Sequence, residues 1–450
     1  MKLFLEDTIV APATNLSKQA ISIIRISGKE AFNIVNKLLK KPLIEKNVQQ
    51  LRKIYDNNQL IDESLILTFV ENNSFTGENV VEINCHGGVL LTNKILQLLI
   101  FNGARLANPG EFSQRAYLNG RINLLQAESI NNLIEAKNNL SIKLNAIGVV
   151  GKNNDKVIII KEKILDMISR IQTSIDYPDY DDIEGSSSEE ILKSLKETFN
   201  LIAEILKVSK RATFINQGIK TTIIGEPNVG KSSLLNALLN EDKAIVTNIE
   251  GTTRDIVEGE ISFDNFSLKI SDTAGIRKTN DQVESIGIEK SLNQIKESDL
   301  ILYVIDKPVI NQTIFKKIKS KKYLIVLNKA DILSKEEIKK VFLQDKHIIC
   351  VSAKNKEVNK LIEKIQSLYN NEDLLVADLP ILTNINDITN LEIALNLINS
   401  SIKNLENGFD FDILSIDLYK SLEIINNLLG IIEMDEEVIN NIFKKYCLGK

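Results

Sequence analysis

Tryptophan is absent from the 450 residues, only three cysteines and two histidines occur, and neither charge sign dominates, the net charge being −5. Each scarcity excludes something. Cys85, Cys350 and Cys447 are too few and too scattered for a disulfide framework, which fits a reducing cytosol and a cytoplasmic location. Cys85 and His86 are adjacent but have no partner cluster nearby in sequence, so no transition metal is expected there. A slightly acidic chain is not uniformly coated for nucleic acid, so any such contact must use local basic patches or a partner. No stretch of 18 apolar residues is present, so no membrane span is expected. The start, Met1 to Asp7, lacks both the apolar core of a signal peptide and the arginine-rich pattern of a transit peptide. Abundant isoleucine, asparagine and lysine suggest an AT-rich genome and say little about mechanism.

What is present is a nucleotide site. Gly225-Glu226-Pro227-Asn228-Val229-Gly230-Lys231-Ser232 fits G-x-x-x-x-G-K-[ST] between an apolar strand, Thr221–Ile224, and a helix, Ser233–Leu239. Such a loop offers backbone N–H groups and a helix N-terminus to phosphates. Lys231 would reach the β- and γ-phosphates and the Ser232 hydroxyl would ligate Mg²⁺. Asn328-Lys329-Ala330-Asp331 follows a second strand, Leu324–Leu327, and suits guanine. A carboxylate at Asp331 can accept from guanine N1–H and its exocyclic amine, a donor pair adenine lacks. Ser352-Ala353-Lys354, after Ile348–Val351, adds a backbone contact to guanine O6. Between these lie Gly251-Thr252-Thr253-Arg254-Asp255 and Asp272-Thr273-Ala274-Gly275. Thr253 is the candidate switch threonine on Mg²⁺, Asp272 a candidate for the magnesium shell, and the Gly275 amide a γ-phosphate sensor. With the P-loop, these complete the five G-protein elements in order. Ile276 stands where many GTPases carry a water-orienting glutamine, and no arginine finger is identifiable although Arg254 and Arg277 are near.

Length predicts about three domains. Residues 1–118 mix short alternating strands such as Ile21–Ile26 and Val80–Asn84 with glycine turns, giving an α+β domain. From 119 to 216 the pattern is helical, with Ile164, Ile168, Ile171 and Ile175 on one face and Leu195, Phe199, Ile202 and Leu206 on another. An acidic loop separates these two runs, and Ser187 with Glu190 reads as a capping box. The Ras-like P-loop G domain (α/β) spans 217–372, and helical periodicity returns over 373–450 with Leu414, Leu418, Leu422, Ile425 and Leu429 in phase. The chain therefore reads as a multidomain α/β and α protein whose G domain is inserted into a discontinuous helical domain.

Several further motifs join those of the G domain. They are Asp7–Ala11, Ile24–Gly28, Ser74–Glu78, His86-Gly87-Gly88, Gly103–Phe112, Glu284–Glu289 and the terminal Cys447-Leu448-Gly449-Lys450. In this order, from residue 7 to 450, the set resembles the tRNA modification GTPase MnmE (TrmE) family. The resemblance implies a homodimeric, potassium-stimulated GTPase. With the flavoprotein MnmG it would place an aminomethyl or carboxymethylaminomethyl group on carbon 5 of the wobble uridine of certain tRNAs. It also implies an N-terminal folate-binding and dimerisation domain carrying a tetrahydrofolate derivative, and closure of paired G domains on GTP.

Position by position, the resemblance makes Asn228, Thr247, Ile249 and Thr252 the K⁺ site, whose charge replaces an arginine finger. Glu284, which alone reads as a solvated helix-start carboxylate, would orient the catalytic water; with Lys231, Asn228 and Thr253 it forms the catalytic set. The nucleotide contacts run over Asn228, Val229, Gly230, Lys231, Ser232, Ser233, Thr247, Thr252, Thr253, Asp272, Thr273, Ala274 and Gly275, then Asn328, Lys329, Asp331, Ser352, Ala353 and Lys354. For the folate it points to Arg25, Glu82, Arg121 and Lys450, although Glu82 by itself reads as a solvent-facing strand residue. Arginine at 121 replaces the family's more usual lysine, keeping charge while changing geometry. Cys447 reads by default as a buried structural thiol, but its place in the terminal motif favours a functional site near that pocket, with no chemical step assigned to it. The loop Asn15–Ala20 and the segment Leu382–Asp387 depart from the family pattern, outside the GTP site. The runner-up function is a ribosome-assembly or RNA-binding GTPase that modifies nothing. Such a protein normally carries a compact basic RNA-binding domain, and none is legible.

Overall fold

The computed structural model describes residues 7–151, 154–176, 188–239, 245–247, 259–270, 295–342, 345, 347–369, 372–375, 379–431 and 449. The chain divides into two units, 1–131 with 422–450, and 132–421.

In the first unit, strands β1 (Ile9–Pro12), β2 (Ile21–Ser27), β3 (Val48–Asp56), β4 (Gln59–Phe69), β5 (Val80–His86) and β6 (Arg105–Leu106) form one sheet in the order β3-β4-β5-β2-β1-β6. All neighbours run antiparallel except β1 and β6. β2 shows why one face is covered: Ser22, Ile24 and Ile26 are buried while Ile21 is exposed, the period-2 signature of a half-buried strand. Helices α1 (Ala31–Asn36) and α2 (Val89–Phe101) close that face, packing Phe32, Val35, Ile95 and Leu99 on Ile24, Ile26, Ile54, Ile66, Val81 and Ile83.

Helix α3 (Glu111–Leu118) brings in Arg115, the largest fully buried side chain among the described residues. Its Nη2 donates to Asp7 Oδ1 at 2.6 Å and Glu111 Oε1 at 3.1 Å, and its Nη1 to Glu78 Oε1 at 3.2 Å. Glu78 in turn accepts from Ser27 Oγ at 2.6 Å, so the sequence motifs around residues 7, 27, 78 and 111 meet in one polar knot. Burial pushes the Asp7 and Glu111 carboxyls up, but hydrogen bonds and charge from Arg105 and Arg115 outweigh it and leave both below their ordinary values.

Helix α4 (Leu124–Ile134) leads into the second unit, where α5 (Asn139–Val149), α6 (Asn154–Asp176) and the 30-residue α7 (Ser188–Gln217) follow. Ile164, Ile168 and Ile171 are buried as the periodicity predicts, but Ile175, next to the last residue of α6, is 37% exposed. In α7 the buried stripe runs Leu195, Thr198, Ile202, Ile205, with Phe199 on its flank. Thr198 bonds its own helix, its hydroxyl donating to the Ser194 carbonyl at 2.8 Å, and so can be buried without penalty. The capping residue Ser187 lies outside the described residues.

The G domain is a seven-stranded sheet built from β7 (Ile219–Gly225), β8 (Ile245–Thr247), β9 (Gly259–Ser262), β10 (Ser267–Ile270), β11 (Leu300–Ile305), β12 (Tyr323–Leu327) and β13 (Ile348–Cys350). Its order is β13-β12-β11-β7-β10-β9-β8. The five strands β13 to β10 are parallel and β9 is antiparallel to both its neighbours. Helices α8 (Lys231–Leu239), α9 (Gln312–Ile318), α10 (Lys335–Phe342) and α11 (Asn359–Leu368) accompany it. α8 and α11 bury Leu234, Leu238, Leu361 and Ile365 against one face. β11 is buried along its whole length, as a central parallel strand covered on both faces must be.

Helical structure resumes with α12 (Ile385–Glu406) and α13 (Phe411–Leu429). α12 lies along α7 through Lys196–Glu406 and Lys210–Glu392 ion pairs. In α13 the core positions are Leu414, Leu418, Ser421 and Ile425, with Leu422 only half-buried. The chain therefore has an N-terminal α+β domain, a helical domain and a G domain with mixed α/β sheets.

Candidate functional site

Three loops meet at the C-terminal ends of parallel strands β7, β12 and β13, where ligands bind in open α/β sheets. The first is Gly225–Lys231. Gly225 has φ +155°, and a Cβ there would stand 2.3 Å from the Val304 carbonyl oxygen. Gly230 has φ +94°, and a Cβ there would stand 2.2 Å from Asn328 Nδ2. Both positions call for glycine, which lets the loop lie directly against Val304 and Asn328. Asn228 takes the left-handed conformation (φ 64°) and is exposed. Lys231 Nζ donates to the Gly225 and Glu226 carbonyls at 2.9 and 2.8 Å, folding the ammonium over the loop. Burial lowers its pKa from the ordinary lysine value. A phosphate at this loop offers that ammonium a better partner than two carbonyls. Ser232 and Ser233 stand in the first turn of α8.

Asn328 is the joint of the three loops. Its Nδ2 donates to the Val229 carbonyl at 3.0 Å and its Oδ1 accepts from the Ala353 N–H at 3.1 Å. Being 2% exposed, it frames the site, whereas Asp331 is exposed. Asp331 Oδ1 accepts from Ser352 Oγ at 2.7 Å, and this hydrogen bond holds its carboxyl below the ordinary aspartate value. Asp331 is thus held ionised, with its orientation set by Ser352. Lys329, with φ 59°, donates from Nζ to the Asn228 carbonyl at 3.1 Å and to Asp306 Oδ2 at 2.8 Å.

The structure thus brings Asn228, Val229, Gly230, Lys231, Asn328, Lys329, Asp331, Ser352 and Ala353 together through direct contacts. Ile249, Thr252, Thr253, Asp272, Thr273, Ala274, Gly275 and Glu284 lie outside the described residues, as do Cys447, Lys450 and the Thr247 side chain. Two residues went unnoticed in the sequence. Asp306 directly follows β11 and anchors Lys329; a carboxylate just past a buried parallel strand was its signal. Glu226 Oε1 accepts from Asn311 Nδ2 at 2.9 Å and ties the P-loop to the N-cap of α9, which no local motif announces.

In the first unit Arg25 Nε donates to Glu82 Oε1 at 2.8 Å across the β2–β5 pair, and Arg25 Nη1 donates to the Gly449 carbonyl at 2.9 Å. The Arg25 guanidinium lies over the Phe112 ring at 5.8 Å. Glu82 is therefore mostly covered, at 16% side-chain exposure, and not the solvent-facing residue its strand position alone predicts. Arg121 is exposed at the turn after α3, against the Gly77 backbone. His86 Nδ1 meets Asp62 Oδ1 at 2.7 Å, and no cluster of three metal-ligating side chains occurs among the described residues. Burial pushes the Cys85 thiol up, which fits a packing role.

A family model described as the MnmE helical domain matches residues 124–447, and one described as the GTP-binding protein TrmE N-terminus matches residues 8–121. The tRNA modification GTPase MnmE of Mycoplasma mycoides subsp. mycoides SC is 52% identical over 453 residues, covering 100% of both chains. The chain belongs to the MnmE family. The MnmE proteins of Mesoplasma florum (51% identical, 99% of each chain) and Malacoplasma penetrans (41% identical, 99% of this chain and 100% of that one) agree. For an MnmE-family chain, the loops joined by Asn328 belong to the G domain and the Arg25 cluster to the domain matched as the TrmE N-terminus. No helix among the described residues is long and apolar enough to cross a membrane.

Proposed function

We propose that this chain hydrolyses GTP and, with the flavoprotein MnmG, uses that cycle to modify carbon 5 of the wobble uridine of certain tRNAs with an aminomethyl or carboxymethylaminomethyl group. The observation that carries the reading is the Asn328 joint. It fixes a phosphate loop and a guanine-reading carboxylate as one body, in a chain similar to MnmE proteins along its full length. In this reading the domains are 1–118, a helical domain of 119–216 with 373–450, and a G domain of 217–372, and the chain works as a cytoplasmic homodimer.

Lys231 neutralises the β- and γ-phosphates, Ser232 and Thr253 hold Mg²⁺, and Asp331 selects guanine. Asn228 fits a K⁺ site: Lys329 occupies its backbone oxygen, which leaves the exposed side-chain amide for the ion. Thr247, Ile249 and Thr252 would complete that site, and the bound ion supplies the positive charge that an arginine finger otherwise brings. Glu284 orients the attacking water. Arg25 and Glu82 present a guanidinium and a carboxylate side by side, a pairing that fits the acidic tail and N–H edge of a tetrahydrofolate derivative; Arg121 and Lys450 would join them.

Mass spectrometry of tRNA nucleosides from a strain lacking the protein tests the reading. Loss of the wobble-uridine modification is expected, and an unchanged nucleoside profile would refute it. Replacing K⁺ by Na⁺ in a turnover assay tests Asn228 separately: equal rates remove its proposed role.

A further inference from the structure

One rod of the G domain connects both switch motifs in sequence and touches a helix outside that domain. β9 starts at Gly259, four residues after Asp255 of Gly-Thr-Thr-Arg-Asp, and β10 ends at Ile270, two residues before Asp272. The two strands form an antiparallel hairpin, tipped by Phe263 and Phe266 stacked with ring centroids 4.8 Å apart.

The first turn of α5 is seated on this hairpin by polar contacts. The Asn139 N–H donates to the Asp264 carbonyl at the tip at 2.9 Å. Asn138 caps α5 by accepting from the Ser141 N–H at 2.8 Å, and its Nδ2 donates to the Ile215 carbonyl at 2.8 Å and to Ser267 Oγ at 3.5 Å. Lys137 Nζ forms an ion pair with Glu260 Oε2 on β9. Glu260 is 2% exposed, and its other oxygen has no hydrogen-bond partner among the described residues. Behind the seat, Ser141 Oγ and Asn145 Nδ2 both donate to Asn216 Oδ1, at 2.6 and 2.9 Å, next to Gly218 with φ +78°.

This joint is chemically unlike the cores on either side of it. Apolar surfaces tolerate sliding, whereas a buried carboxylate with one cationic partner fixes a single register. A solvent-open cleft of about 340 Å³ lies beside the tip, lined by Asn139, Lys143, Phe263, Phe266, Ile362 and Gln366.

We propose that Lys137 is a positioning residue for GTP hydrolysis. Through Glu260 it sets β9, the strand that continues from Gly-Thr-Thr-Arg-Asp, and through Asn138 and Asn139 it makes α5 the receiver of any hairpin movement. The inference rests on GTP hydrolysis by the G domain, which Lys231→Met tests independently.

The test uses the full-length protein with Lys137→Met, Lys137→Arg and the isosteric Glu260→Gln. Lys137→Met and Glu260→Gln are expected to lower kcat about 3- to 30-fold with GDP affinity and KM for GTP unchanged, and Lys137→Arg to retain most of kcat. Wild-type kcat in Lys137→Met, equal losses in the methionine and arginine variants, or a parallel fall in GDP affinity would each overturn the proposal. A second measurement needs no variant. Hydrogen exchange at the Asn139 amide is expected to differ between the GDP-bound protein and the protein with a non-hydrolysable GTP analogue. Identical exchange would overturn the receiver role of α5.

Discussion

At the residue scale, the proposed function puts base choice on Asp331 and phosphate binding on Lys231, and each makes a separable prediction. Asparagine at 331 would keep one acceptor and turn the other into a donor, mismatching the guanine amine but matching a carbonyl at the same ring position. Asp331→Asn is therefore expected to weaken GTP binding by about 100-fold and to favour xanthosine nucleotides, read out by competition binding. Lys231 carries a lowered pKa because burial disfavours its charge. The unfolded chain then holds that proton more tightly, so the charged lysine opposes folding at neutral pH and this cost fades as pH rises towards 10.5. Lys231→Met is expected to leave the nucleotide-free protein within about 1 kcal/mol of wild type while abolishing the rise in melting temperature caused by GDP. A large loss of stability without nucleotide would contradict this.

At the element scale, the Arg115 knot sets the acid sensitivity of the first sheet. Asp7 and Glu111 have folded pKa values below 3.8 and 4.5, so their stabilisation is complete above those values. It is lost as pH falls from there through the lowered folded values. Unfolding of the first unit should therefore steepen below about pH 4.5, measured by circular dichroism across a pH series. Arg115→Met would strip Glu78 of its ion pair and leave Asp7 and Glu111 to Arg105 alone, and should cost about 3–5 kcal/mol in denaturant melts. Motif and periodicity made the G-domain strands, the long helices and Lys231, Asp331 and Ser352 legible in the sequence, because these depend on local spacing. The flanking of Phe199 and the exposure of Ile175 were not legible, since one residue shifts a helical stripe by about 100°. Nor was the knot: Arg115 reads as one charge on an ordinary helix until Asp7 and Glu78 arrive from the bends before β1 and β5.

At the scale of the whole molecule, Gly449 is where the far end of the sequence enters the N-terminal sheet. It takes φ +89°, and a Cβ there would lie 2.4 Å from the Pro12 carbonyl oxygen. Gly449→Ala should expel the residue, free Arg25 and raise hydrogen exchange along β1 and β2, with the G domain unaffected. No exchange difference would mean that the contact does not support the sheet. The contact between Arg25 and Gly449 spans 424 positions of sequence. A ribosome adding about 5–20 residues per second needs roughly 20–85 s to supply the second partner after the first. The sheet that holds Arg25 is therefore finished only after the chain has been extended to Gly449. During that interval its Arg25–Glu82 pair waits without its third member, and the N-terminal sheet leaves the ribosome with an Arg25 guanidinium still short of one acceptor.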